Sequence, residues 1–235
     1  MKRLGLLTVA IFLALSCNVS AGVNMYGLSG IIETPDDSIT PTFNINLGGK
    51  YIIDYGNTNN YLTSYGGTFG LLPNFEVGIV GFDSDLPGKK TKAVFGGKYR
   101  VLDETFTRPS ITVGATDIAQ QLKSFEPKIN EVSTFVLLGK NLTNVAEHVT
   151  DSIVKPVHGT IGIGTGLYKG MFAGLNISLS ENFDAKFEYL SNGFRRKGTA
   201  NAGLTYIHDK KITIEGGTFA FEDLYFGAGY TLSTY

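Results

Sequence analysis

The sequence has 235 residues, and its 20 Lys and Arg nearly balance 21 Asp and Glu, for a formal net charge of −1. This balance excludes the basic footprint of a nucleic-acid-binding protein and leaves no acidic tail. The chain contains 30 Gly, 16 Phe and 12 Tyr but no Trp. This combination is typical of a closed, strongly curved β-sheet with aromatic residues near its edges.

Residues 1–21 have the features of an export signal. Two basic residues follow Met1, and the apolar run Leu4–Leu15 is too short to span a membrane as a helix. Small residues precede the expected cleavage site, which we place before Gly22.

The only cysteine, Cys17, leaves open an alternative in which cleavage precedes it and its sulfur carries lipid. The residues before it fit that alternative poorly, because Leu15 stands where a small residue is needed. Cleavage before Gly22 removes the cysteine, so the mature chain would have neither a disulfide nor thiol chemistry.

Residues 22–41 follow the signal and are punctuated by glycine up to Pro35. We predict that they form an N-terminal segment on the periplasmic side, before the first strand of a domain over residues 42–235.

The stretch from Thr42 to Asp54 alternates between a mostly apolar face and a mostly polar face. This period of two predicts a β-strand with one apolar face and one polar face. Its length exceeds the usual five or six residues of a soluble strand and suits the roughly 9–11 residues of a tilted transmembrane strand.

The same alternation recurs to the C-terminus and predicts eleven further strands, so the expected fold class is all-β, an antiparallel transmembrane β-barrel of about 12 strands. An even number of strands returns both ends of the barrel to one side. Between Asn141 and Pro156 the apolar residues instead fall at helical spacing, which predicts a short amphipathic helix in a connection. The predicted strands are Thr42–Asp54, Tyr61–Leu71, Phe75–Phe82, Thr91–Val101, Ser110–Ile118, Glu131–Lys140, Gly159–Leu167, Met171–Leu179, Ala185–Leu190, Ala200–Ile207, Ile212–Phe219 and Asp223–Ser233.

The polar face of these strands carries nearly all of their charged residues. Lys92, Lys98 and Arg100 point the same way from one strand, and each would cost about 2–4 kcal/mol facing lipid at the membrane midplane. A soluble sandwich or lipocalin-like barrel is the alternative, but the segregation of charge favours a barrel that is apolar outside. The candidate lumen-lining residues are Asn44, Asn46, Lys50, Glu76, Lys92, Lys98, Arg100, Lys186, Glu188 and Glu215.

Motifs for chemistry are scarce. His148, His158 and His208 lack the spacing of metal ligands, so we expect no metal, no cofactor and no enzymatic activity. An outer-membrane hydrolase remains an alternative, which requires a serine, a histidine and a polar orienting group within hydrogen-bond reach of one another.

Several segments resemble the YjbH-like proteins, a family of outer-membrane β-barrels associated with exopolysaccharide production or export. The resembling segments are Gly27-x-x-Gly30-x-Ile32-x-Thr34-Pro35, Lys98–Glu104, Pro109–Ile118, Gly170–Leu175 and Phe187-Glu188-Tyr189. The resemblance implies a role in exopolysaccharide export or surface assembly and no catalytic residues.

We therefore expect a barrel in the cell outer membrane that assists passage or assembly of a polysaccharide. Lys92, Lys98 and Arg100 are expected to form one wall of a hydrated path through its lumen. A structural or narrow porin-like barrel is the alternative. The expected partners are outer-membrane lipid, the outer-membrane assembly machinery and, through the resemblance, polysaccharide or export proteins, but no nucleic acid.

Overall fold

The computed structural model describes residues 22–53, 60–85, 91–124, 129–143, 156–193 and 197–233. Twelve strands account for most of them, and two short 3-10 helices, Gln121–Ser124 and Gly166–Tyr168, lie in connections. The strands are β1 Ile45–Ile53, β2 Leu62–Leu72, β3 Phe75–Ser84, β4 Lys92–Leu102, β5 Ser110–Thr116, β6 Ser133–Asn141, β7 Val157–Gly164, β8 Gly170–Ser178, β9 Phe183–Asn192, β10 Lys197–His208, β11 Ile212–Phe219 and β12 Asp223–Leu232.

Every strand pairs antiparallel with its neighbours in the sequence, and β1 also pairs with β12. Ile45 therefore lies opposite both Phe69 on β2 and Leu232 on β12, which closes the sheet. The prediction of a 12-strand antiparallel barrel is confirmed. No helix among the described residues is long and apolar enough to cross a membrane.

Two expectations fall on parts of the chain outside the described residues. The export signal with Cys17 lies in residues 1–21, and most of the expected helix lies in residues 144–155. They stay predictions.

The two faces of the sheet differ sharply in burial. On β1, Leu47, Tyr51 and Ile53 are exposed, whereas the alternate residues Lys50 and Ile52 are buried inside the barrel. Large apolar side chains are exposed in the same way on all the other strands except β5, whose outward residues are half-buried; Phe95 and Tyr99 on β4 are examples. Such an apolar outer surface on a closed barrel suits contact with lipid.

The outward residues provide a direct test of this orientation. Single cysteines replacing Phe95 or Tyr99 should react with a membrane-soluble thiol reagent and resist a water-soluble one. A cysteine replacing Val94, which is buried on the inner face, is the matched control and should react with neither. Equal labelling of all three by the aqueous reagent would contradict a membrane-spanning barrel.

The barrel has two rims that the chain uses differently. We call the rim at which β1 begins and β12 ends the terminal rim, and the other the opposite rim. The turns at the terminal rim include Pro73-Asn74 between β2 and β3 and Asp209–Lys211 between β10 and β11. In outer-membrane barrels the short turns face the periplasm, so we expect the terminal rim to be periplasmic.

Residues 22–40 lie inside the barrel, which differs from the extension that the sequence suggested. All residues from Val23 to Asp37 are buried, and several, including Leu28 and Glu33, have no accessible surface. We call residues 22–40 the plug. The chain enters the lumen at the terminal rim, where Thr42 bridges to Gly70 near the end of β2. The barrel is therefore filled by its own N-terminal segment.

Candidate functional site: the closed lumen

The plug has a compact structure of its own. Short antiparallel bridges join Val23 to Ser29 and Gly30 to Pro35. Between Val23 and Ser29 the chain turns at Gly27, whose φ of +82° suits glycine and whose missing side chain leaves room for Val80 of β3. The Asn24 carboxamide oxygen accepts the backbone N–H of Tyr26 and Leu28 at 2.9 and 3.1 Å, so the turn is internally satisfied.

Glu188 on β9 holds the plug at mid-barrel. Its carboxylate accepts the backbone N–H groups of Ile32, Glu33 and Thr34 at 3.1, 2.8 and 2.9 Å, and also the Thr34 hydroxyl at 2.8 Å. Consecutive N–H groups that converge on one anion form a nest. Here the plug supplies the nest and the wall supplies the anion, so docking adds four hydrogen bonds to the one that the Glu188 carboxylate accepts from Asn201 of β10 at 2.6 Å.

Glu76 on β3 makes a second attachment of the same kind. It accepts the backbone N–H of Ser29 at 2.8 Å and of Thr40 at 2.7 Å, together with the Ser29 hydroxyl at 2.7 Å. Lys98 lies 3.6 Å from the same carboxylate. Because Ser29 and Thr40 lie at two separate points of the plug, Glu76 fixes its path as well as its position.

Cations on β4 bind the carbonyl groups that the plug presents. The Lys98 ammonium donates to the backbone oxygens of Ser29 and Asp36 at 2.7 and 2.8 Å. The Arg100 guanidinium donates to the backbone oxygen of Asp37 at 2.6 and 3.0 Å. Residues 22–40 contain three acids and no base, so these cations also match the charge of the plug.

Asp37 fastens the plug to strands near the terminal rim. Its carboxylate accepts the Ser110 hydroxyl of β5 at 2.5 Å and lies 2.5 Å from Nε2 of His158 on β7. Burial by itself raises the pKa of the Asp37 carboxyl, but the contacts with His158, Ser110 and Arg100 outweigh burial and lower the pKa to about 2. Asp37 is therefore an ionised anchor over most of the pH range.

This anchor predicts a pH dependence of docking. Because the pKa of Asp37 is lower in the docked state than its ordinary value of 3.8, its contribution is full above about pH 5 and is lost as the pH falls from 4 to 2. The shift corresponds to about 2 kcal/mol. Conductance in planar bilayers should therefore rise across this acid range.

Asp37→Asn is the comparison for that titration. It should be more open at pH 7 and should change less between pH 4 and 2, because it has no carboxylate to protonate at this position. If the variant and the wild type rose in parallel, the acid response would belong to other groups.

Ser110 and His158 each lie within hydrogen-bond reach of Asp37, which brings together the three kinds of side chain that an outer-membrane hydrolase would require. The order in which the three side chains contact one another is nevertheless not that of a hydrolase. The carboxylate lies between the hydroxyl and the imidazole and accepts from Ser110 itself. In a hydrolase the histidine must take the proton of the serine. The arrangement suits an anchor better than a nucleophile. Among the described residues, no three His, Cys, Asp or Glu side chains come together as a metal site.

Glycines on the inner face of the wall make room for the plug. A β-carbon at Gly78 would lie 1.7 Å from the backbone oxygen of Gly27, and one at Gly174 would lie 2.1 Å from Ile31. At Gly139 the carboxyl group of Asp37 takes the place of a side chain. These strand glycines, which the sequence suggested only as relief for curvature, are points of close approach between wall and plug.

Charged side chains of the wall fill the part of the lumen that the plug does not occupy. Lys50 on β1 and Lys186 on β9 both pair with Glu215 on β11, the latter pair at 3.4 Å. The Glu215 carboxylate lies over Gly227 of β12, where a β-carbon would be 2.6 Å away. This cluster closes the lumen beside the plug and approaches it at Gly22, whose β-carbon position is 3.6 Å from the Lys186 nitrogen.

The structure places the ten candidate lumen-lining residues in three groups. Asn46, Glu76, Lys98, Arg100 and Glu188 contact the plug, Asn46 through a 3.1 Å hydrogen bond to Thr40. The second group is the Lys50, Lys186 and Glu215 cluster. Asn44 and Lys92 are half-buried near the rims. The hydrated path expected along Lys98 and Arg100 is instead occupied by Ser29, Asp36 and Asp37.

The comparisons with known proteins concern the fold. No protein-family model and no curated protein matches the chain. Among solved structures the chain is similar to the KdgM porin, with a TM-score of 0.51 and 11% identity over 82% of this chain and 99% of that one. A structure titled as the KdgM porin in complex with disordered oligogalacturonate gives a TM-score of 0.50 and 10% identity over the same shares.

At such identities the similarity shows the fold alone. The chain has the fold of an outer-membrane porin-like β-barrel, with the apolar outer surface that this fold requires. The YjbH-like resemblance has no support from these comparisons and stays a hypothesis.

Proposed function

We propose that this protein is a porin-like barrel of the outer membrane whose passage is closed by the plug and opens when the plug leaves the lumen. One observation carries the proposal, namely that a closed 12-strand barrel has its lumen filled by residues 22–40, a segment outside the sheet that leads into β1 through residues 41–44. A 12-strand barrel is wider than the eight-strand size that its own side chains fill, so removal of the plug leaves a path.

Polar contacts favour a plug that can leave. The Glu76, Glu188, Lys98 and Arg100 attachments are hydrogen bonds and ion pairs, which water can replace on both partners when the plug leaves. Release also exposes apolar plug residues that are buried in one cluster with the wall, namely Met25, Tyr26, Leu28, Ile31 and Ile32. Tyr26 packs against Phe82 and Tyr168 towards the opposite rim, so the closed state is the stable one.

The chemistry of the passing solute is not carried over from the similar structures. The KdgM porin has been seen with oligogalacturonate, a polyanion, whereas this plugged wall sets Glu76 and Glu188 among its cations. Assistance in exopolysaccharide export, which the YjbH-like resemblance implied, is favoured by none of the lumen contacts that the described residues make. The porin-like alternative is therefore our proposal, and the absence of enzymatic activity stays a prediction.

Liposome swelling tests the proposal directly. Proteoliposomes with a variant lacking residues 24–39 should swell in a small neutral sugar much faster than those with the wild type. Gly78→Val, which places a side chain where Gly27 lies, should act in the same direction with the full chain length. A heat-modifiable, protease-resistant barrel that stays impermeable in both variants would overturn the proposal.

A further inference from the structure

A groove of about 800 Å³ crosses the outer wall of the barrel from the start of β3 to the start of β8. One bank is a row of large side chains that are opposed in register from strand to strand, namely Phe75, Tyr99, Val113, Val136, Ile163 and Met171. The floor is a parallel row of small outward residues. The groove lies on the side of the sheet away from the plug.

The floor presents few polar atoms that could bond to a ligand. Gly97 lies opposite Ala115, and Ala115 lies opposite Thr134. The Thr134 hydroxyl is 2.9 Å from that of Thr165, which also donates to the backbone oxygen of Val132 at 2.9 Å. Because these hydroxyls are satisfied by the wall itself, the floor offers little to a polar ligand.

The groove is open, whereas depressions over small outward residues elsewhere on the barrel are filled by neighbouring side chains. The outward glycine Gly81 is covered by the Tyr65 ring, which comes within 2.9 Å of its β-carbon position, and Gly67 is covered by Leu47 at 2.9 Å. In those places the barrel fills its own depression. Over Ala115 and Thr134 the wall leaves the volume open.

The groove runs between the two sides of the membrane. Phe75 is the first residue of β3 and lies at the terminal rim, whereas Met171 is the second residue of β8 and lies at the opposite rim. The row of large side chains therefore climbs the wall because the strands are tilted. Its whole length is continuous with the exposed apolar surface that faces lipid.

We propose that this groove is a binding site for one hydrocarbon chain of a membrane lipid. An elongated, apolar, flexible ligand fits a long depression with satisfied polar atoms, and the surrounding membrane supplies it. A second copy of the barrel is a poorer occupant, since a convex wall with protruding side chains does not fill a concave groove. The site is separate from the plug and does not depend on how the lumen functions.

Photocrosslinking in vesicles tests this site. The full mature chain is reconstituted with phosphatidylcholine that carries a diazirine in one acyl chain, irradiated, digested, and mapped by mass spectrometry. We expect adducts to be at least threefold enriched on β4 to β7 relative to outward positions of β12 and β1. Ala115→Phe, which fills the floor, should remove that enrichment.

Ala228→Phe is the matched control, because Ala228 is an exposed residue on β12 far from the groove, and it should leave the enrichment unchanged. Ala115→Leu serves as a smaller filling variant if the phenylalanine impairs insertion. Adducts spread evenly around the wall, or enrichment unchanged in a folded Ala115 variant, would overturn the proposal. Efficient disulfide linkage between two Ala115→Cys chains in vesicles would also overturn it, by showing that a second copy covers this face.

Discussion

A disulfide between the far end of the plug and the barrel wall should abolish channel opening, and reduction should restore it. Val23 lies over Gly48 of β1, with its β-carbon 3.2 Å from the β-carbon position of that glycine. Disulfides join β-carbons that are about 3.5–4.5 Å apart, so Val23→Cys with Gly48→Cys needs only a small adjustment. Once the bond forms, the plug cannot leave the lumen. Openings in planar bilayers should fall at least tenfold and return after dithiothreitol.

A second cysteine pair provides the control for this experiment. The hydroxyls of Thr40 and Thr68 are 2.6 Å apart, so Thr40→Cys with Thr68→Cys tethers the root of the plug. That root is already attached to β1 through residues 41–44, and the tether should leave most openings intact. If the far tether formed quantitatively and the openings persisted, solute would have to pass without movement of the plug.

The sequence predicted the barrel because most of its strands follow one simple rule. On β4 the residues Lys92 to Arg100 alternate inward and outward without a break, and a charge that points towards lipid is costly enough to fix the sidedness. The register then follows from neighbouring strands that obey the same rule. Strand ends differed by a few residues, because pairing at the rims depends on turns rather than on periodicity.

The plug could not be predicted by the same reasoning. Residues 22–40 have no period, and their contacts join residues far apart in the chain, such as Thr34 with Glu188. Glu76 and Glu188 were expected to face the lumen, and they do point inward. In the structure their partners are backbone N–H groups of the plug, and every residue except proline carries such a group, so the sequence could not single these partners out.

Two signals in the sequence do point to a plug once the barrel is known. Inward positions at Gly48, Gly78, Gly139 and Gly174 carry no side chain, so a barrel wall built this way leaves space that another element must fill. Residues 22–40 carry acids without a base, and an inward row of cations on β4 matches them. Asp37, Ser110 and His158 were missed because their contact exists only when the plug is docked.

Neutralising Glu188 should shift the protein towards the open state more than any other conservative change in the lumen. Glu188→Gln keeps the volume of the side chain but removes the negative charge that accepts four hydrogen bonds from the plug. Hydrogen bonds to charged groups contribute about 1.5–3 kcal/mol each, against about 0.5–1.5 kcal/mol for neutral ones. If the closed state loses only about 1.4–3 kcal/mol of stability relative to the open state, the open fraction rises about tenfold to a hundredfold.

The open probability in planar bilayers at neutral pH measures this shift, with Glu131→Gln as the matched control. Glu131 is exposed, lies outside the strands and accepts a single backbone N–H at 3.2 Å from Gly166, so its neutralisation should leave the open probability unchanged. Glu76→Gln should act in the same direction as Glu188→Gln, because it weakens a separate attachment of the same plug. A folded Glu188→Gln protein that opens no more often than the wild type would show that the nest around Glu188 does not hold the closed state. The aromatic contacts of Tyr26 at the opposite rim would then be the dominant restraint, and Tyr26→Ala would have to open the barrel where Glu188→Gln had not.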